Sequence, residues 1–245
     1  MNKILKNVQA EFATSGLAGQ AGESQPAGEE QYLAAHKRQL SYLFKIGQKY
    51  YRPGAKFLDI GSSFGYPCFG AKLIGYDSYG LDRPERVAEF SKRFKRLGIN
   101  NVASDLALKK SPFSSRKFDV ILVSEIPETV NHQPERFFSE IARLLKPGGI
   151  LIMTAANLLR FNNMAKIVPA RGGRPSAKHL PANYYCEFTA SDLAYLLTKN
   201  GLNVEKIKYR NFNHQRVTWL SRAFNNLSGL LLPHRKKNLV VTARK

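Results

Sequence analysis

Cysteine is scarce in this chain: Cys68 and Cys186 are the only two among 245 residues. They lie far apart and no Cys-x-x-Cys pair exists. Neither a zinc site nor a disulfide framework is indicated, and a reduced, cytoplasmic compartment fits. Long apolar runs are missing as well. No stretch of about 18 apolar residues appears, which excludes a spanning helix. The N-terminus carries Lys3 and Lys6 but no sustained apolar core, so it does not read as a signal peptide. No interior linker rich in Pro, Gly or Ser divides the chain, and one domain is expected. Acid is also in short supply, with 18 Asp and Glu against 38 Lys and Arg, a net charge of +20. From Lys206 to Lys245 there is none at all. Such a balance implies affinity for polyanions, whether nucleic acid, anionic lipid surfaces or phosphorylated substrates. A merely solvated surface is the plain alternative.

What is present alternates in period. Residues 1–31 are expected to be a disordered leader, because the stretch TSGLAGQAGESQPAGEEQ is too poor in large apolar side chains to offset its ordering entropy. From Tyr32 to Tyr51, Leu33, Leu40, Leu43 and Phe44 recur near helical spacing, and Pro53-Gly54 ends that helix. Strand and helix then take turns. Lys56–Ile60, Gly75–Leu81, Val102-Ala103, Phe118–Val123, Ile150–Thr154, Leu202–Tyr209 and Asn238–Thr242 read as strands. Phe69–Leu73, Pro84–Leu97, Pro134–Leu145 and Thr189–Leu197 read as helices between them. Phe118–Val123 is almost wholly apolar, as a strand buried on both faces should be. Alternation of this kind predicts an α/β fold, with a mostly parallel sheet and helices on both faces. Ligands of such sheets bind beyond the carboxyl ends of the strands, near the switch in strand order.

Polar residues gather at those ends. After the first strand comes Asp59-Ile60-Gly61-Ser62-Ser63-Phe64-Gly65, where Gly61 and Gly65 let the backbone approach a ligand closely. A dinucleotide fingerprint would need glycine at Ser63 and at Tyr66, so NAD fits poorly. Asp59, just before the glycines, suits an ammonium group better than a pyrophosphate. Asp82 follows the second strand and can take both hydroxyls of a ribose. Asp105 and Leu106 follow the third, where a carboxylate can accept from an adenine amino group. Each of the three acids has a plain reading as a loop, turn or capping residue. Together they describe a nucleoside carrying an amino-acid tail.

On these residues the sequence resembles the class I S-adenosylmethionine (SAM)-dependent methyltransferases, in their small-molecule, type 11/12-like branch. Asp59, Gly61 and Gly65 match the family's first motif, with Ser63 in place of its middle glycine. Phe118–Glu128 (FDVILVSEIPE) is similar to the fourth strand and its loop, and Arg143–Gly149 (RLLKPGG) to the approach to the fifth strand. The resemblance is strongest from Lys56 to Ala156. It implies a Rossmann-like seven-stranded sheet whose last strand is antiparallel, and SAM as cofactor. Asp59 and Gly61, with Ser63 and Gly65, would then hold the methionine part, Asp82 the ribose, and Asp105 and Leu106 the adenine. Ser124 would stand on the cofactor side of the fourth strand. Many relatives carry Glu-His in the loop after that strand, where this chain has Glu128-Thr129. His132 and Glu128 are the candidates for acid–base work, Glu128 also reading as a structural or cofactor-side acid. No metal ligands are indicated.

Residues 158–187 form a long insertion within a domain spanning 32–245, and loops of that length at this end of a sheet usually cover the substrate. Asn157, Arg160, Tyr184 and Tyr185 are the substrate-binding candidates. The basic segment 206–245 contains an apolar stretch at 217–232 ending in His234-Arg235-Lys236-Lys237. It reads as a core helix, a cap on the pocket, or a surface helix at 217–237 lying on the inner face of a membrane. The expected acceptor is oxygen or nitrogen of a small molecule, among them a sugar, a lipid-linked or an anionic metabolite. RNA, suggested by the charge, and a non-catalytic binding role are the competing readings.

Overall fold

A computed structural model describes residues 3–14, 29–130, 134–160, 187–212, 234 and 236–245. Seven strands form one sheet: β1 (Lys56–Ile60), β2 (Asp77–Asp82), β3 (Asn100–Ala103), β4 (Phe118–Ser124), β5 (Leu145–Ala156), β6 (Asn203–Arg210) and β7 (Asn238–Arg244). Their order is β3-β2-β1-β4-β5-β7-β6. The β1–β2, β2–β3, β1–β4 and β4–β5 ladders are parallel, and β7 runs antiparallel to both β5 and β6. The last strand of the chain is thus wedged inside the sheet. The order reverses between β1 and β4, and their carboxyl ends lie side by side there, with Ile60 level with Val123.

Helices α1 (Lys3–Thr14), α2 (Glu29–Tyr50), α3 (Tyr66–Ile74), α4 (Pro84–Leu97), α5 (Pro134–Leu144) and α6 (Ala190–Lys199) complete the described chain. For α4 and α6 the boundaries have a local cause. Pro84 supplies a first-turn φ to α4, and Gly98 ends it in the left-handed conformation. Thr189 and Asp192 close α6 with a reciprocal capping box, each side chain taking the other's backbone N–H, at 3.1 and 2.9 Å. Strand β4 is central and buried along its length up to Ser124, which explains its apolar run. Lys146-Pro147-Gly148-Gly149 is a bulge within β5, since the pairing to β4 jumps from Leu145 to Ile150.

The expected leader is corrected in two places. Residues 3–14 form a helix, and Glu29 opens α2. Leu5 and Val8 of α1 are fully buried in a cluster with Leu40, Phe44, Phe64, Phe69 and Phe94. A helix of this length is marginal alone, so its stability comes from that burial rather than from composition. Residues 15–28 lie outside the described residues. The main core runs under the other face of the sheet, where Phe137, Phe138 and Ile141 of α5 and Leu193 and Leu197 of α6 pack on β4, β5 and β7. Among the described residues, no helix is long and apolar enough to cross a membrane.

Candidate active site

The strand ends at the switch point carry the polar residues that the sequence singles out. Asp59 sits on β1, level with Gly80 of β2 and Leu122 of β4, and is only 1% exposed. Its Oδ2 accepts from the Cys68 thiol at 3.7 Å, and among the described residues it has no cationic partner. Burial, then the negative charge of Asp82, holds its carboxyl well above the usual range, against the Cys68 hydrogen bond. A desolvated acid of this kind is stabilised by any cation brought to it.

The turn after β1 is tight because it lies under the β4 loop. Gly61 has φ of 81°, and a Cβ there would meet Ile126 Cδ1 at 2.3 Å. Gly61→Ala should therefore destabilise the fold by about 1–2 kcal/mol from the left-handed backbone alone. A denaturant titration checks this, and Gly61→Ala/Ile126→Ala should recover only the steric share. Ser63, in the family's glycine position, adopts φ of 41°, a left-handed conformation that serine tolerates at some cost. Two contacts hold it there: its N–H donates to Asp82 Oδ2 at 2.8 Å, and its Oγ accepts from Arg86 at 2.9 Å. Asp82 also accepts from the Arg83 N–H at 2.8 Å, so one carboxylate ties the β1 turn to the end of β2. Its own carboxyl is raised by burial, against those two N–H groups. Gly65, at φ of 84°, leads into α3, whose first turn carries Pro67. Asp105 closes a local turn through Ala107 N–H at 2.9 Å, and Leu106 is buried in the main core.

The end of β4 holds residues that the sequence did not join. Ser124 Oγ accepts from Gln39 Nε2 at 2.9 Å, and Gln39 also donates to Thr154 Oγ1 at 3.1 Å. Glu125 follows with φ of 56°, in the left-handed region. Thr154 holds it there, taking the Glu125 N–H on its carbonyl at 3.1 Å and on Oγ1 at 3.2 Å. Glu125 Oε2 lies 3.3 Å from His36 Nε2, and His36 Nδ1 lies 2.8 Å from the Tyr32 carbonyl oxygen one helical turn earlier. The Tyr32 ring stacks on His36 with centroids 4.1 Å apart and reaches Phe64 of the β1 turn at 5.1 Å. Its hydroxyl is pushed up by burial and by the negative charges of Asp59 and Glu125. Helix α2 thus lays Tyr32, His36 and Gln39 over the switch point. Their i, i+4, i+7 spacing is a polar stripe beside the apolar one, and that is the signal by which the sequence could have shown them. Among the described residues, Gln39 Oε1 and Asn238 Oδ1 are buried there without a hydrogen-bond partner.

Three expected site residues are corrected. Glu128 is fully buried; its Oε1 accepts the Ala156 N–H, and among the described residues its Oε2 has no partner. It ties the β4 loop to the end of β5 instead of facing an acceptor as an acid–base group. The Asn157 side chain is equally committed, donating to His234 O at 2.8 Å and Lys236 O at 2.7 Å and accepting from Leu159 N–H at 3.1 Å. It anchors the approach to β7 and is not available to a substrate. Arg160 spends its charge on buried Glu187, at 2.5 Å, across the two ends of the insertion. His132, Tyr184 and Tyr185 lie outside the described residues, as do 161–186 and nearly all of 217–237.

A family model described as "Methyltransferase domain" matches residues 58–153, from β1 to β5. The chain is 32% identical over 171 residues to the ubiquinone biosynthesis O-methyltransferase of Pelagibacter ubique, covering 67% of this chain and 68% of that one. It is 26% identical over 185 residues to the demethylmenaquinone methyltransferase of Renibacterium salmoninarum, covering 70% of this chain and 75% of the relative. In fold, it is similar to the crystal structure of an S-adenosylmethionine-dependent methyltransferase from Mesorhizobium loti. That match has a TM-score of 0.61 at 20% identity and covers 88% of this chain and all of the other.

Proposed function

This chain belongs to the class I SAM-dependent methyltransferases, and we propose that within that family it methylates a ring hydroxyl of a small aromatic acceptor of the quinone-precursor kind. The observation that carries the hydroxyl is the pair of buried acceptors, Gln39 Oε1 and Asn238 Oδ1, which have no partner among the described residues; Gln39 bonds Ser124 and Thr154, and Asn238 reaches Glu125. Unmatched buried acceptors are costly, and an incoming O–H is the donor that relieves them. The two relatives, named for ubiquinone biosynthesis and for demethylmenaquinone, favour such a ring over the sugar, lipid-linked or RNA acceptors that charge alone leaves open.

SAM supplies an electrophilic methyl group on a positively charged sulfur. The residues present fit it. Asp59 is a buried acid with no cation beside it among the described residues, and we assign it to the cofactor's ammonium group. Gly61 leaves the β1 turn without a Cβ beside it. Asp82 stands where ribose hydroxyls would be taken, with one further acceptor site on each oxygen beyond its backbone bonds. Asp105 has its Oδ2 for an adenine amino group. Catalysis then rests on holding the acceptor oxygen in line with the methyl carbon and keeping water away.

Titration calorimetry tests the cofactor half. A cation favours the ionised form of Asp59, whose carboxyl is raised in the free protein. SAM affinity should accordingly strengthen as pH rises and the acid gives up its proton. Asp59→Asn should weaken binding roughly 10- to 100-fold, the worth of one charge-assisted hydrogen bond, and flatten that pH dependence. Unchanged affinity would remove Asp59 from the site. Labelled-methyl transfer to hydroxylated aromatic rings tests the acceptor half, and incorporation only into RNA or sugars would overturn it.

A further inference from the structure

Ser63 stands at φ of 41°, where glycine is at ease and a residue with a Cβ is not. Such a conformation persists only where its surroundings impose it. One of the contacts that do so comes from another element. Arg86, in the first turn of α4, donates from Nη2 to Ser63 Oγ at 2.9 Å. We propose that Arg86 is a positioning residue for the cofactor: through Ser63 it aims the Asp82 carboxylate at the ribose hydroxyls. The proposal rests on the reading of Asp82 as the ribose acceptor.

The contacts close a ring. Asp82 Oδ2 takes the Ser63 N–H and Asp82 Oδ1 the Arg83 N–H, each at 2.8 Å. The Arg83 carbonyl accepts the Arg86 N–H at 3.0 Å, and the Arg86 side chain reaches back to Ser63. One oxygen of Asp82 is thus tied to the β1 turn and the other to the start of α4, and the Arg86 guanidinium joins those two ends. Relaxing the Ser63 backbone would move the N–H that orients the carboxylate.

The guanidinium is itself held in place. Its Nη1 donates to Glu89 Oε2 at 2.6 Å, one turn further along α4. It lies over the Phe90 ring, 4.8 Å from the centroid, and over the Phe64 ring at 5.7 Å. Phe64 follows Ser63 directly, so Arg86 packs against the same turn that it bonds. The ion pair with Glu89 would contribute little alone, because both side chains are partly exposed. The arm that reaches Ser63 is what gives this arginine a role beyond its own helix. Its positive charge also favours the ionised form of Asp82 against the burial that raises it, and the ionised form can accept from two hydroxyls.

Calorimetry with S-adenosylhomocysteine and its 2′-deoxyribose analogue reads the ribose contact directly. The wild type should prefer the ribose ligand by about 10-fold, the worth of one hydrogen bond to a charged group. Arg86→Met keeps an apolar stem beside the two rings and removes the donor. It should bind the ribose ligand roughly 3- to 10-fold more weakly and the deoxy analogue almost as the wild type does, so that the preference shrinks. Ser63→Ala keeps the Cβ and removes the acceptor, and should act in the same way. Adding Arg86→Met to Ser63→Ala should cost nothing more, since each removes the same contact. Ser63→Gly should bind the ribose ligand more tightly than Ser63→Ala, because glycine holds this backbone without a brace. A merely structural arginine would weaken both ligands alike and leave the preference intact. That result, or losses that add in the double variant, overturns the brace and leaves Asp82 as the ribose acceptor. A wild type without preference for the ribose ligand overturns the ribose reading and the brace with it.

Discussion

Glu29→Ala should lower the unfolding free energy by about 3–5 kcal/mol, the cost of stranding a buried charge without its partner. The stranded charge is Arg93 of α4. Its guanidinium grips the Glu29 carboxylate with both arms, at 2.6 and 2.8 Å, and each side chain is 6% exposed. Two further contacts join the pair to the segment after β1: Tyr66 OH donates to Glu29 at 3.0 Å, and Arg93 donates to Phe64 O at 3.3 Å. Glu29 therefore fastens the start of α2, which carries Tyr32 and His36, onto α3 and α4. The loss should appear as a lower denaturant midpoint with an unchanged slope. SAM affinity should fall as well, because the first turn of α2 loses its anchor. Glu29→Leu/Arg93→Met should recover most of the stability, since replacing both members of a buried ion pair with apolar groups is often close to neutral. A double variant as unstable as the single one would show that the charge is not the cause.

The parts of the fold legible in the sequence are those whose signals are local. β4 could be read because a strand buried on both faces must be apolar throughout. The start of α6 could be read because its capping box lies within four residues. Asp82 was found at its strand end because strand ends follow from where the alternation stops. Helix α1 was missed because Leu5 and Val8 gain their burial only from partners in α2, α3 and α4, which no window of sequence contains. The polar pairs were hidden for the same reason. His36 meets Glu125 across 89 residues, and Arg93 meets Glu29 across 64. Asn157 misled in the opposite direction. Its place after β5 suggested substrate, yet the antiparallel return of β7 brings two backbone carbonyls to its amide.

Glu128→Gln should stabilise the protein strongly at alkaline pH and hardly at all at pH 5. Burial raises the Glu128 carboxyl to about 8, the Ala156 N–H opposing and the charges of Glu125 and Glu187 adding to it. The unfolded chain gives up this proton near 4.5, the ordinary glutamate value. Between those two values the folded state binds more protons than the unfolded one. Folding stability must then fall as pH rises from about 4.5 to about 8 and level off above, which is the reverse of a salt-bridged acid. Glutamine stays neutral and can still accept the Ala156 N–H. The variant should match the wild type near pH 5, where Glu128 is protonated in the fold. At pH 9 it should exceed it by on the order of 3–5 kcal/mol, roughly 10 °C in Tm for a chain of this length. Thermal melts of both proteins across that range decide the matter. Parallel curves would mean that Glu128 does not hold its proton in the fold. Methyl transfer should survive the substitution with kcat within a few-fold, because the amide can still tie the β4 loop to the end of β5. A collapse of kcat with SAM binding intact would return Glu128 to the acid–base chemistry from which its burial removes it.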